Sequence, residues 1–228
     1  MSFKNMNKPN KLTLIRLILI IPAFLLMIAS YYTMSKGSEF GGNITNIVVN
    51  GSYNLGYAIA FTILNVLIVL IFGAAMITDF FDGRIARKQN LVTDFGIVWD
   101  PIADKAMTNL VLIYFGVINV LPFWAVAIFI LRDIIVDGVR MFLAKVGVSV
   151  AAGKLGKIKT LILSIGICVT FLIIIWLPYT KFTTQYHFMY LINIPIYVAL
   201  ILSVISGIMY VVKASKHMKK NSKTEAKK

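Results

Sequence analysis

The stretch TDFFDGRIARKQNLVTDFGIVWDPIADK, residues 78–105, holds most of the negative charge of an otherwise apolar chain. The 228 residues include nine acidic ones, and Asp79, Asp82, Asp94, Asp100 and Asp104 all fall here. Asp79 and Asp82 stand three apart, and Asp100 and Asp104 stand four apart. On a helix, each spacing puts its pair on one face. A short link between two helices would bring the pairs together at one end. Asp94 reads as a helix cap.

Outside this stretch the chain reads as membrane protein. The hydrophobic fraction is 59%, the charged fraction 14% and the mean hydropathy +0.83. A soluble domain carries roughly a quarter charged residues. Apolar runs of about 20 residues suit helices that cross a bilayer. The spacing predicts an all-α polytopic membrane protein with six transmembrane helices, at about 12–33, 54–78, 95–119, 121–145, 156–178 and 187–213. The second helix is expected to continue to Arg87. Residues 1–213 form one membrane domain, and the basic stretch 214–228 reads as a disordered tail. The loop at 34–53 is assigned no catalytic role. The basic start MSFKNMNKPNKLTLIR reads as the lead into a retained first span rather than a cleaved signal. The single cysteine, Cys168, excludes a disulfide within the chain.

Lysine and arginine placement predicts the orientation. Lys4, Lys8, Lys11, Arg84, Arg87, Lys88, Lys145, Lys154, Lys157 and Lys159 fall on one side, with seven lysines from Lys213 to Lys228. The other side holds Lys36 and Lys181. The basic side is therefore expected to be cytoplasmic, with both termini there and the protein in the cell membrane. The net charge of +14 then reflects topology and anionic lipid, and no nucleic-acid partner is expected.

Four clustered carboxylates repel one another, and hard divalent cations relieve that repulsion. Two such metals can clamp the attacking and leaving oxygens of a phosphoryl transfer. Gly83, Ala86 and Gly96 let a ligand or a second helix approach the backbone closely. Arg87 suits bidentate contact with a phosphate, and Thr93 offers a hydroxyl at the start of the next helix. The site is expected at the cytoplasmic interface, where a lipid headgroup meets a soluble substrate.

Asp79, Asp82, Gly83, Ala86, Arg87, Gly96, Asp100 and Asp104, in this spacing, resemble the signature of the CDP-alcohol phosphatidyltransferases. The resemblance covers most of the chain and implies two divalent cations, Mg2+ with Mn2+ as the alternative. Asp79, Asp82, Asp100 and Asp104 would bind them, and Asp104 would also be the general base. It further implies that Gly83, Arg87 and Thr93 contact CDP-diacylglycerol, beside Ala86 and Gly96. Asn10 and Thr13 are candidates for the same donor, with Asn10 equally suited to cap a helix. A homodimer in membrane lipid is implied as well.

The flanks NKPNKLTLIR, DPIADK and GKLGKIKT resemble the bacterial phosphatidylglycerophosphate synthase branch of that family. This implies sn-glycerol 3-phosphate as acceptor, with phosphatidylglycerophosphate and CMP as products. Arg132, Arg140, Lys154, Lys157, Lys159 and Lys105 are the candidate phosphate contacts. The structural alternative is that Arg132 and Arg140 pair with Asp133 and Asp137. Arg16 reads either as a headgroup contact or as a phosphate ligand. Rival functions are the same reaction with inositol phosphate, serine or phosphatidylglycerol, an ion transporter, and an inactive scaffold. A transporter predicts acidic residues spread through the membrane depth, unlike this cluster.

Overall fold

The computed structural model describes residues 8–37, 55–89, 94–145, 154–179 and 190–225. Six long helices account for nearly all of them: α1 (Lys8–Gly37), α2 (Leu55–Gln89), α3 (Asp94–Val117), α4 (Phe123–Lys145), α5 (Lys154–Trp176) and α6 (Ile194–Glu225). A 3₁₀ turn at Leu177–Tyr179 follows α5. Among the described residues the fold is all helical.

The helices pack in a closed order, each against the next: α1, α3, α4, α6, α5, α2 and back to α1. A contact between α2 and α3 crosses this ring. Phe115 of α3 and Phe171 of α5 meet edge to face at its centre, 4.9 Å between centroids. Leu112, Ile118, Phe129, Ile167 and Ile196 are buried around them. The outward faces are also apolar: Ile18, Leu25, Leu70, Leu131, Leu172 and Ile208 are exposed. Helices that are apolar on both faces suit lipid, because every backbone group is satisfied within its own helix.

Among the described residues four helices are long and apolar enough to cross a membrane, over Thr13–Lys36, Leu55–Thr78, Ile158–Trp176 and Ile194–Ser215. The sequence predicts six spans. The other two helices, α3 and α4, carry charges within their length. In α3 a shorter apolar segment, Lys105–Val117, remains.

Most boundaries fall within a few residues of expectation. Helix α1 starts earlier, at Lys8, with Pro9 in a first turn that tolerates it. Asn10 therefore lies inside the helix rather than capping it. Helix α1 also takes in residues 34–37 of the expected loop; residues 38–53 of that loop lie outside the described residues. The largest difference is at the C-terminus, where helix replaces expected disorder through Glu225. Lys, Met and Ala favour helix, and lysines near a C-terminus complement the helix dipole.

A left-handed Asn119 (φ 57°) ends α3. The Val120 N–H donates to the Phe115 carbonyl at 2.9 Å, and the Asn119 N–H to Gly116 at 3.2 Å. This pair of bonds closes a helix C-terminus, and asparagine tolerates the conformation. Asn193 Nδ2 then ties the link to the start of α6 by donating to the Val120 carbonyl at 2.6 Å. On the neighbouring face α5 and α6 nearly touch at Gly166. A Cβ there would stand 2.9 Å from Ile196 Cγ1.

Three buried polar side chains hold α1, α2 and α3 in register. Tyr114 Oη donates to Asn65 Oδ1 at 2.7 Å, and Asn65 Nδ2 donates to Ser30 Oγ at 2.9 Å. Tyrosine has a single hydroxyl hydrogen, so Ser30 donates the third bond, 2.9 Å to Tyr114 Oη. The second N–H of Asn65 goes to the Phe61 carbonyl at 2.8 Å. The circuit leaves no amide donor unsatisfied, as burial requires.

Candidate active site

The four aspartates stand where the apolar segments stop. The apolar segment of α2 ends at Thr78, and Asp79 is the next residue. That of α3 begins at Lys105, directly after Asp104. Residues 90–93 join the two helices, which contact each other. Asp79 and Asp82 therefore share an end of the bundle with Asp100 and Asp104. The Ser30–Asn65–Tyr114 circuit sets the relative height. Asp79 lies fourteen residues beyond Asn65, and Asp100 fourteen before Tyr114. At 1.5 Å per residue, each is about 21 Å along its helix from the same circuit.

The side chains of Asp79, Asp82, Gly83, Ala86, Arg87, Gly96, Asp100, Asp104, Asn10, Lys154 and Lys157 lie outside the described residues, though each residue belongs to a described helix. Thr93 lies outside the described residues altogether. Asp94 is the first residue of α3, and its side chain lies outside the described residues. Thr13 and Arg16 share one face of α1 and are 1% exposed. Both turn into the bundle rather than toward lipid.

Beside this end lies a polar seam between α4 and α6. Arg132 Nε donates to the Ser203 carbonyl at 2.7 Å, and Nη2 to Ser206 Oγ. Its Nη1 donates to Asp133 Oδ1 at 2.7 Å. The same oxygen accepts from Lys159 Nζ of α5 at 2.9 Å. One helical turn on, Asp137 forms an ion pair with Lys105 of α3. Arg140 Nη2 donates to Tyr210 Oη at 3.1 Å, with its guanidinium carbon 4.8 Å from the ring centroid. Among the described residues Arg140 Nε is buried with no acceptor.

The structure thus brings four of the six candidate phosphate contacts, Lys105, Arg132, Arg140 and Lys159, to one side of α4. It also realises part of the structural alternative. Arg132 pairs with Asp133, while Asp137 takes Lys105 and not Arg140. The sharing of Asp133 and the contacts of Ser203 and Ser206 with Arg132 are not legible in the sequence. The signal present is two aspartates four apart on an apolar helix, where a buried charge needs a partner.

The family model for CDP-alcohol phosphatidyltransferase matches residues 6–205. A Bacillus subtilis protein is 38% identical over 154 residues, covering 68% of this chain and 70% of its own length. A Mycoplasma genitalium protein is 35% identical over 153 residues, covering 65% of this chain and 64% of its own length. A Rickettsia felis protein is 37% identical over 154 residues, covering 68% of each. All three relatives bear the name CDP-diacylglycerol–glycerol-3-phosphate 3-phosphatidyltransferase. With the signature carried by α2 and α3 inside the matched span, the chain belongs to the CDP-alcohol phosphatidyltransferase family.

Proposed function

We propose that the chain transfers the phosphatidyl group of CDP-diacylglycerol to sn-glycerol 3-phosphate, giving phosphatidylglycerophosphate and CMP. The observation that carries this reading is the basic seam on α4, next to the end of the bundle where the family's aspartates emerge. A phosphate-bearing alcohol needs cations beside the reacting centre, and an uncharged alcohol does not. The names of the relatives support the same acceptor.

Asp79, Asp82, Asp100 and Asp104 are the residues that would hold two divalent cations. Their all-oxygen donor set fits hard Mg2+, with Mn2+ as the alternative. Bound there, the cations would neutralise the diphosphate and stabilise the departing phosphate. Asp104 accepts the proton of the acceptor hydroxyl. The freed oxygen bonds to the phosphorus carrying diacylglycerol, and the bond from that phosphorus to the CMP oxygen breaks. Arg87 and Thr93 hold the cytidine diphosphate part, with Gly83, Ala86 and Gly96 giving it room. Asn10 and Thr13 reach the same donor from α1. Lys105, Arg132, Arg140, Lys154, Lys157 and Lys159 receive the acceptor phosphate. Of these, Arg140 Nε has no acceptor among the described residues.

The reading includes six spans, with α3 and α4 crossing as well, and both termini on the cytoplasmic face of the cell membrane. It also includes a homodimer with one site per protomer. CMP release by purified protein tests the acceptor. CDP-diacylglycerol is offered with sn-glycerol 3-phosphate, inositol phosphate, serine or phosphatidylglycerol. Release dependent on glycerol phosphate is expected. Release with another alcohol alone would keep the reaction class and replace the acceptor.

A further inference from the structure

We propose that Asp133 is the positioning residue of the acceptor subsite, gathering Arg132 and Lys159 on one oxygen so that their remaining N–H groups face the phosphate together. The proposal rests on the acceptor reading above.

Two cations on different helices repel each other, and one shared carboxylate oxygen holds them close. The Asp133 and Lys159 side chains are only 10% and 6% exposed, so solvent screens neither. Arg132 is fitted in as well. Its Nε and Nη2 are tied to Ser203 and Ser206. The α6 backbone packs closely on it, because a Cβ at Gly207 would stand 3.2 Å from Arg132 Cγ and Nε and would push the side chain by a few tenths of an ångström. These ties fix the plane of the guanidinium.

The donors are not exhausted. A guanidinium carries five N–H groups, and the described residues use three of those on Arg132. An ammonium carries three, and one is used on Lys159. The ring of Phe129 lies under Lys159, 5.7 Å from Nζ, and walls off one direction. Lys159 also lies within electrostatic reach of Lys105. Asp137 pins that lysine one residue after Asp104. The two carboxylates of α4 thus hold three cations from α3, α4 and α5. Within this described group three cations meet two carboxylates, and a phosphate monoester would supply further negative charge.

The test uses the full-length protein in detergent, with CDP-diacylglycerol and sn-glycerol 3-phosphate varied separately. Asp133→Asn is expected to raise the acceptor KM by about tenfold, the lower end of the loss seen when the outer partner of a metal-ligating side chain is removed. The donor KM is expected to stay within about twofold, since Asp133 holds no donor contact. Asp133→Glu keeps the charge but moves the oxygen, and a smaller rise of about threefold in acceptor KM alone is expected. If Asp133→Asn does not accumulate, Asp133→Glu carries the measurement. A purely structural ion pair predicts a lower melting temperature with wild-type KM values, and that result overturns the proposal. Equal shifts in both KM values overturn it too. A wild-type protein that ignores glycerol phosphate removes the acceptor reading and this proposal together. A wild-type protein that uses it, with variants of unchanged acceptor KM, removes this proposal alone.

Discussion

Asp104 is the last residue of α3 before its apolar segment, and Lys105 after it is held by Asp137. As the proposed base, Asp104 is replaceable in shape but not in chemistry. Asp104→Asn is expected to lower turnover by at least about 100-fold. Its melting temperature should match that of the wild type, since asparagine keeps the size and shape of aspartate. Near-normal turnover would remove Asp104 from the role of base. Arg132→Ala is expected to raise the KM for glycerol phosphate more than that for CDP-diacylglycerol; the reverse would reassign this arginine to the donor. At this scale the sequence is legible where chemistry is local. The spacing of Asp79 with Asp82, and of Asp100 with Asp104, follows from helix periodicity alone. The sharing of Asp133 is not local. It depends on α5 and α6 arriving at α4 at one height, and no spacing within α4 encodes that.

Among the elements, the hydrogen-bonded circuit of Ser30, Asn65 and Tyr114 couples α1, α2 and α3. Asn65→Leu removes two of its three bonds and leaves the Tyr114 hydroxyl without its acceptor. A loss of about 1–2 kcal/mol is expected, the upper range for interhelical hydrogen bonds in membranes. Thermal unfolding in detergent measures it, and an unchanged midpoint would show that the circuit adds no stability. Apolar length predicted the existence of each helix, but the ends depended on contacts. Asn119 stops α3 through bonds back to Phe115 and Gly116, and the partner of Asn193 lies 73 residues away. The long reach of α6 shows the opposite error. Its polar sequence reads as disorder, although lysine and alanine are good helix formers.

At the scale of the whole molecule, the six helices close on themselves, and the carboxylates and the basic seam share one end. The lysine and arginine bias predicts that this end faces the cytoplasm. In a Cys168→Ser background, a cysteine at Ser2 or at Ser222 should react with an impermeant maleimide only after the cytoplasmic face is opened. One at Ser52 should react from outside in intact cells. Labelling of Ser2 and Ser52 from the same face would break the topology. The closed order of helices was not legible, because an apolar face meant for lipid and one meant for a neighbour use the same residues.

The central claim is a metal-dependent transfer of a phosphatidyl group to a phosphate-bearing alcohol. Its most direct measurement is the incorporation of labelled sn-glycerol 3-phosphate into extractable lipid by the purified protein, with CDP-diacylglycerol and Mg2+ present. The account predicts a labelled phospholipid formed one for one with CMP, and none once EDTA removes the metal. Labelled lipid formed equally well in EDTA, or CMP released with no label in lipid, would contradict it.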